Sequence, residues 1–312
     1  MDNMDEIDFT ISLMLIANSR ISYRELAEML KMSVNSVHKR VKSLVKIGVI
    51  QNFQAKLGYI FFPNTINVTM FGETPTKNRK TLMEKLGNHE CIYNVSQASG
   101  NLFYIHAYIR NLNELDSLVS FVRKTGEIKE LSVGLGKGST SSDINNSNDI
   151  TISKLDYLII NSLKDNSRKT ISDVADEIGA STKTVRRHLD TLIEKHLVRF
   201  TIDWYPDKTP EIMSMITLKL KPNIDFDDAI FMDSLRKRYG IKIVFHWAFS
   251  NLPNLLVICT WTKNMKEIQE IESFLMSMEF ESVDVNVLVE GKMYLTWVDT
   301  YLDNKIKEFT NS

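Results

Sequence analysis

Apolar residues near the start of the chain recur at helical intervals, Ile11, Met14 and Leu15 first, until the polar run Asn18-Ser19-Arg20 breaks the pattern. The same interval and the same break return with Ile159, Leu163 and Asn166-Ser167-Arg168, at an offset of about 148 residues. The match persists at that offset. Ile7-Asp8-Phe9 answers to Leu155-Asp156-Tyr157, Leu26-Ala27 to Val174-Ala175, Val37 to Val185 and Leu44 to Leu192. The chain is therefore read as an internal tandem repeat.

In each copy the pattern predicts three short helices. Ser22 with Glu25, and Thr170 with Asp173, have capping-box spacing: the hydroxyl accepts from the backbone three residues on and the acid reaches back. A second helix is expected from each, running to about Lys31 or Gly179, with Met32 and Ala180 in the turn. Ser33 and Ser181 then stand as N-caps of a third helix, about two to three residues further on, as a helix-turn-helix requires.

A helical wheel of the third helix puts Val34, Val37, Val41, Leu44 and Val45 inward, and Asn35, Ser36, Lys39, Lys42, Ser43 and Lys46 outward. The second copy places Thr182, Val185, Leu189, Leu192 and Ile193 inward, with Lys183, Thr184, Arg187, Asp190, Thr191 and Glu194 outward. One polar helix face is ordinary on any surface. Two capped copies presenting basic and hydrogen-bonding side chains point to phosphates and base edges of double-stranded DNA. The candidate contacts are Ser33, Asn35, Ser36, Lys39, Arg40, Lys42, Ser43 and Lys46 in copy one, and Ser181, Lys183, Thr184, Arg186, Arg187 and Thr191 in copy two. Asp190 and Glu194 replace Lys42 and Lys46, so the heads are expected to be unequal, with the first giving more of the salt-dependent affinity. Strands at Val49 to Gln54 and Leu197 to Ile202 are expected to form a wing on each head, and Gly48 suits a left-handed helix end where copy two has His196.

Each head is followed by alternating and apolar runs that read as strand, helix, strand, strand, helix, strand. In copy one the strands lie near Thr65 to Phe71, Ile92 to Gln97, Leu102 to Ile109 and Lys129 to Leu135, with helices at Asn78 to Leu86 and Leu112 to Lys124. In copy two they lie near Ser214 to Leu220, Ile243 to Phe249, Leu255 to Thr262 and Val283 to Val289, with helices at Phe226 to Tyr239 and Met265 to Met278. The expected fold class is α+β, two winged helix-turn-helix domains each followed by a ferredoxin-like βαββαβ sandwich. The expected layout is a head at 1–60, a sandwich at 61–135, a polar linker at 136–150, a head at 151–208, a sandwich at 209–295 and a helical tail at 296–312. Trp297, Tyr301, Ile306 and Phe309 keep helical spacing in that tail, which is expected to pack on the second sandwich.

Composition changes the picture in two places. The formal net charge of −1 over 312 residues is unusual for a nucleic-acid binder, but Arg20 to Lys56 holds eight Lys or Arg against two acids, so basic surface is concentrated on the first head. Two cysteines, Cys91 and Cys259, in apolar surroundings exclude a disulfide framework or cysteine-rich metal site by count and read as buried thiols. No His/Cys/acid cluster completes a ligand set, and no nucleophile triad, P-loop or dinucleotide glycine motif appears, so neither metal nor cofactor is expected. The acidic start and the lack of a long apolar run predict a cytoplasmic protein with no membrane contact.

On Leu155-Asp156, Asn166-Ser167-Arg168, Val174-Ala175, Ser181, Val185 and Leu189, with Ile7-Asp8, Asn18-Ser19-Arg20, Leu26-Ala27, Ser33, Val37, Arg40-Val41 and Gly48-Val49-Ile50, the chain resembles the Lrp/AsnC family of feast/famine regulators. The resemblance implies a DNA-binding transcription regulator whose sandwiches, of the RAM effector type, dimerise and sense a small amino-acid-like molecule. Two fused units imply an intramolecular pseudo-dimer, with higher homo-oligomers open. It also implies an effector pocket at the turn between the second and third sandwich strands, which is Ser99-Gly100-Asn101 in copy one. Copy two, Ser250-Asn251-Leu252-Pro253-Asn254, lacks the glycine, and a plain hairpin turn has the same composition. A related group, the siroheme decarboxylases, shares the plan as tetrapyrrole enzymes and would need histidines and arginines converging on a cavity. His89, His106 and His246 are the histidines in or beside sandwich strands. A ligand-binding or oligomerisation protein without DNA binding is the third reading.

Overall fold

The computed structural model describes residues 3–137, 152–222 and 226–310. Most of the expected linker, 136–150, falls outside the described residues. Copy one runs α1 (Glu6–Ala17), α2 (Tyr23–Leu30), α3 (Val34–Lys46), β1 (Ile50–Leu57), β2 (Ile66–Glu73), α4 (Arg79–Gly87), β3 (Ile92–Ala98), β4 (Leu102–Ile109), α5 (Leu115–Gly126) and β5 (Leu131–Leu135). Copy two repeats it as α6 (Lys154–Leu163), α7 (Ile171–Ile178), α8 (Thr182–Glu194), β6 (Val198–Trp204), β7 (Ile212–Leu220), α9 (Asp228–Tyr239), β8 (Ile243–Ala248), β9 (Leu255–Thr262), α10 (Met265–Met276) and β10 (Phe280–Met293), and α11 (Trp297–Thr310) follows.

These elements form two compact units. One gathers both heads and α11, from the described residues of Asp2–Pro63, Thr140–Lys208 and Leu295–Ser312; the other gathers both sandwiches, from those of Asn64–Ser139 and Thr209–Tyr294.

In the head unit the caps form as their sequence requires. Ser22 and Glu25, like Thr170 and Asp173, exchange reciprocal hydrogen bonds with the backbone, and Ser33 and Ser181 accept from Ser36 N and Thr184 N. The copies differ in where a left-handed residue falls. Lys31 (φ 53) ends α2 where copy two has Gly179 (φ 68), and His196 (φ 54) follows α8 where copy one has Gly48 (φ 85). A side chain in that region costs about 1 kcal/mol, part of which glycine gives back through a freer unfolded chain. His196→Gly is therefore expected to stabilise the protein by about 0.5 kcal/mol, read as a raised urea midpoint. A lowered midpoint would show that the imidazole contributes packing that outweighs the strain.

The expected wing strands form, but their pairing differs from a hairpin within each head. Among the described residues neither β1 nor β6 has a hairpin partner in its own head, and the two pair with one another, antiparallel from Ile50 opposite Trp204 to Leu57 opposite Val198. A lone strand leaves its backbone groups unpaired, and the equivalent strand of the other copy satisfies them. Gly58 closes this ribbon: a Cβ there would collide with the His196 carbonyl oxygen. The tail also departs from expectation. α11 packs within the head unit, against α6 and β1.

In the sandwich unit both copies are ferredoxin-like. Their strands lie in the order β5-β2-β4-β3 and β10-β7-β9-β8, the fourth, first, third and second strand of each repeat. β3 joins β10 antiparallel, which makes one eight-stranded sheet, and Gly136 bridges Phe249 at the far edges. Helices cover one face of each half. In copy two, Phe231, Met232 and Leu235 of α9 and Ile271 and Leu275 of α10 bury against Ile216, Leu218, Leu256 and Ile258. On the opposite face the halves meet through aromatic rings: Tyr93, His106 and Trp247 stack in sequence, with His106 4.9 Å from Trp247.

Candidate nucleic-acid interface

The seam between the heads is built from the Asn-Ser-Arg runs. Ser19 and Ser167, equivalent residues of the repeat, are fully buried and their hydroxyls lie 2.6 Å apart, which places the local two-fold axis between them. Ser19 N donates to Phe200 O, and Ser167 N to Phe53 O at 2.8 Å. Arg20 donates to the Ser167 and Lys169 carbonyls and lies over Phe200; Arg168 donates to the Ile21 carbonyl and lies over Phe53 and Tyr23. Burial lowers the pKa of both guanidiniums, and carbonyl oxygens and ring faces supply the compensation. The sequence signal was present, an identical run in two otherwise divergent copies. Its meaning as a seam depends on strand pairing that no local pattern encodes.

With the heads so held, α3 and α8 occupy equivalent positions. Only Val37, Val41 and Leu44 of α3, and Val185, Leu189 and Leu192 of α8, are buried. Val34, Val45 and Ile193, expected inward, are exposed by 45%, 41% and 45%, and Thr182 is exposed as well. The buried stripe is thus narrower than the wheel suggested, and the exposed face wider. Asn35, Lys39, Lys42, Ser43 and Lys46 stand exposed on α3, as do Lys183, Arg186, Arg187 and Thr191 on α8. Ser36 and Thr184 are half-buried, their hydroxyls tied to those of the N-caps Ser33 and Ser181 at 2.8 Å.

Arg40 is the correction among these residues. Its guanidinium turns back to α1, 2.9 Å from Asp5 and 2.8 Å from Asp8, and the Asp8 and Asp5 carboxylates raise its pKa further. Its equivalent, His188, makes the matching bond to Asp156 at 2.8 Å. Burial works to raise the Asp156 pKa, but bonds from Ser153 and His188 outweigh it and hold the carboxyl low. Arg40 and His188 therefore fasten the third helix of each head to its first.

The cations are distributed differently on the two helices. On α3 they fall at Lys39, Lys42 and Lys46, toward the C-terminal half; on α8 they fall at Lys183, Arg186 and Arg187, toward the N-terminal half, followed by Asp190 and Glu194.

Ser99, Gly100 and Asn101 form the turn between β3 and β4, with Gly100 at φ 69 and open space around it. Ser99 N donates to Val287 O of β10, and Asn101 accepts from Arg79 and, through its carbonyl, from Thr74 N. The cavity lined by Lys56, Leu57, Val298 and Asp299 and the cleft lined by His89, Cys91, Glu114 and Phe121 both lie elsewhere. His106 is buried, bonded to Thr69 at 3.1 Å, and burial depresses its pKa to about 4. His89 faces Phe121, and His246 lies 3.1 Å from Arg236. The three histidines do not converge. Cys91 and Cys259 are buried free thiols, pushed up to about 11 and about 12 by burial. Among the described residues no cluster of His, Cys, Asp or Glu is arranged to hold a metal ion, and no helix is long and apolar enough to cross a membrane.

Comparison with known proteins begins in the heads: residues 4–51 and 152–199 each match the winged helix-turn-helix DNA-binding family. LrpC of Bacillus subtilis, an HTH-type transcriptional regulator, is 30% identical over 132 residues, which cover 39% of this chain and 83% of LrpC. The chain belongs to the Lrp/AsnC family. It is a tandem duplicate within that family, as the two head matches show. An uncharacterised HTH-type regulator of Pyrococcus furiosus is 45% identical over 56 residues, and this chain spans 38% of its length. Among solved structures, the siroheme decarboxylase NirDL superposes over 97% of this chain and 99% of its own, with a TM-score of 0.57 at 10% identity. That likeness shows a shared fold.

Proposed function

We propose that this Lrp/AsnC-family chain is a cytoplasmic, sequence-specific DNA-binding transcription regulator that presents two unequal recognition helices from one polypeptide. The observation that carries the reading is the exposed, capped pair α3 and α8, set about the Ser19–Ser167 contact as the two heads of a dimer would be. α3 offers Lys39, Lys42 and Lys46 to phosphates and Asn35 and Ser43 to base edges. α8 offers Lys183, Arg186 and Arg187 at the end of the helix that enters the groove, where arginine reads guanine with two hydrogen bonds. Asp190 and Glu194 keep the rest of α8 from the backbone. Ser33, Ser36, Ser181 and Thr184 set the helix entry as caps, with Thr191 at the rim, and Arg40 acts through its tie to α1. The regulator reading needs an asymmetric operator.

Two further parts of the reading concern the sandwiches. The turn Ser99-Gly100-Asn101 takes a small amino-acid-like effector, supported by its open glycine and its place beside β10. A tetrapyrrole enzyme is the weaker alternative, since His106 is packed between Tyr93 and Trp247 and away from His89 and His246. Titration of wild type and of Lys39→Ala with Arg187→Ala on genomic fragments, while the Soret region is recorded with added siroheme, tests both readings. Wild type is expected to bind with a salt-dependent affinity, and the variant's log–log salt slope to be shallower by about two. A bound tetrapyrrole with no DNA binding would reverse the assignment.

A further inference from the structure

α11 has no counterpart in copy one among the described residues, where β5 ends at Leu135 and α6 begins at Lys154. It follows the second sandwich in sequence yet spends its contacts on both heads. Its N-terminal half meets the first. Trp297 and Tyr301 each stand edge-on to Phe62 at 5.5 Å, and Asp299, which also accepts from Thr296 N, lies 2.8 Å from Lys56 of β1. Its C-terminal half meets the second. Asp303 lies 2.6 Å from Lys164, the Phe309 ring is 5.7 Å from Tyr157, and Lys154 donates to the Phe309 carbonyl. Val298 and Leu302 are buried between these ends.

The repeat shows what this helix replaces. Phe9 of α1 packs against Trp204 of β6 at 5.6 Å. Tyr157 is the equivalent of Phe9, but the strand available to it, β1, ends in Leu57, and Phe309 of α11 supplies the missing ring. Without α11 the heads would meet along the two-stranded β1–β6 ribbon, the Ser19–Ser167 seam and the exchanged packing of β6 on α1 and β1 on α6. The second of these packings lacks the ring that Trp204 gives the first, so the joint would be looser on the side of α6. A helix fastened to both heads across that ribbon triangulates the joint.

We propose that α11 is a strap that fixes the first head relative to the second and so sets a single half-site spacing for the pair; the spacing clause rests on the regulator reading above. The apolar and charged contacts make it specific to this chain's asymmetric joint: Phe62 and Lys56 on one side, Tyr157 and Lys164 on the other.

The experiment uses the full chain with spin labels at Glu28→Cys and Asp176→Cys, exposed equivalents on α2 and α7; the native cysteines are buried. Distances between labels are measured without DNA in wild type, in Trp297→Ala with Asp303→Lys, and in the charge swap Lys164→Glu with Asp303→Lys. In parallel, unlabelled proteins select from a random pool of two half-sites at variable spacing. The loosening variant is expected to broaden the distance distribution and to lose the single preferred spacing, while the swap restores the narrow distribution of wild type. An unchanged distribution in the loosening variant would overturn the strap. Equal spacing preference despite a broadened distribution would overturn the spacing clause. Broadening in a protein whose wild type binds no DNA would overturn the regulator reading and support the strap alone.

Discussion

Giving the first recognition helix the charges of the second, Lys42→Asp with Lys46→Glu, is expected to weaken DNA binding on the order of a hundredfold at about 0.1 M salt. Each cation that neutralises a phosphate releases condensed counterions, and losing two makes the log–log salt slope shallower by about 1.8; two carboxylates facing the backbone add repulsion. The reverse exchange, Asp190→Lys with Glu194→Lys, is expected to strengthen binding and steepen the slope by a similar amount. Fluorescence anisotropy across a salt series measures both. Because all four residues are exposed and make no bond that fastens α3 or α8 to its head, the substitutions are expected to leave the melting temperature near that of wild type. Should both exchanges leave the slope where it was, the outward faces of α3 and α8 do not meet phosphates and the proposed interface is wrong.

Acid is expected to loosen the sandwich unit through His106. Its folded pKa, depressed to about 4 by burial, lies below the unfolded value of about 6.5, so the unfolded chain binds a proton that the native protein refuses. The contribution is complete above the unfolded pKa, erodes as the pH falls from about 6.5 and levels off below about 4. By pH 5 the loss is about 2 kcal/mol, and it reaches about 3 kcal/mol at the lower end. Burial depresses His89 and His246 as well, so they add to the slope with the same sign. Asp156 and Asp299, held low by their partners, are lost only as the pH falls further, through their own depressed values. Urea unfolding of wild type and His106→Gln at pH 7 and pH 5 separates the cases. A variant that loses as much stability between those pH values as wild type would assign the slope to other groups.

The parts of this molecule that were legible in its sequence are those decided within a few residues. Ser22 with Glu25 and Thr170 with Asp173 cap helices because hydroxyl and acid reach the same turn, and the strands Leu102–Ile109 and Leu255–Thr262 follow their apolar runs to the residue. What was not legible depends on partners far along the chain. Val49 to Gln54 is a strand on pattern alone, but whether it folds back as a wing or pairs with Leu197 to Ile202 depends on the geometry of the other head. Arg40 stood among the candidate contacts although the wheel left it off the outward face; its side chain reaches Asp5 and Asp8 on a neighbouring helix. Val34, Val45 and Ile193 show the same limit, since an apolar residue at the edge of a stripe is buried only if something covers it. α11 keeps helical spacing, yet nothing in Trp297 to Phe309 names Phe62 and Tyr157 as the rings it meets.

The contact between Ser19 and Ser167 has a consequence for how such a protein changes over generations. On the axis of a true homodimer a residue faces itself, so one substitution in the gene lands on both sides of the contact, and every change to a recognition helix is made twice. Here the two sides are written separately. Either serine can be replaced while its mate stays, and α8 can drift toward new base pairs while α3 holds the old ones. Fusion thus lets the two halves of the operator change one at a time.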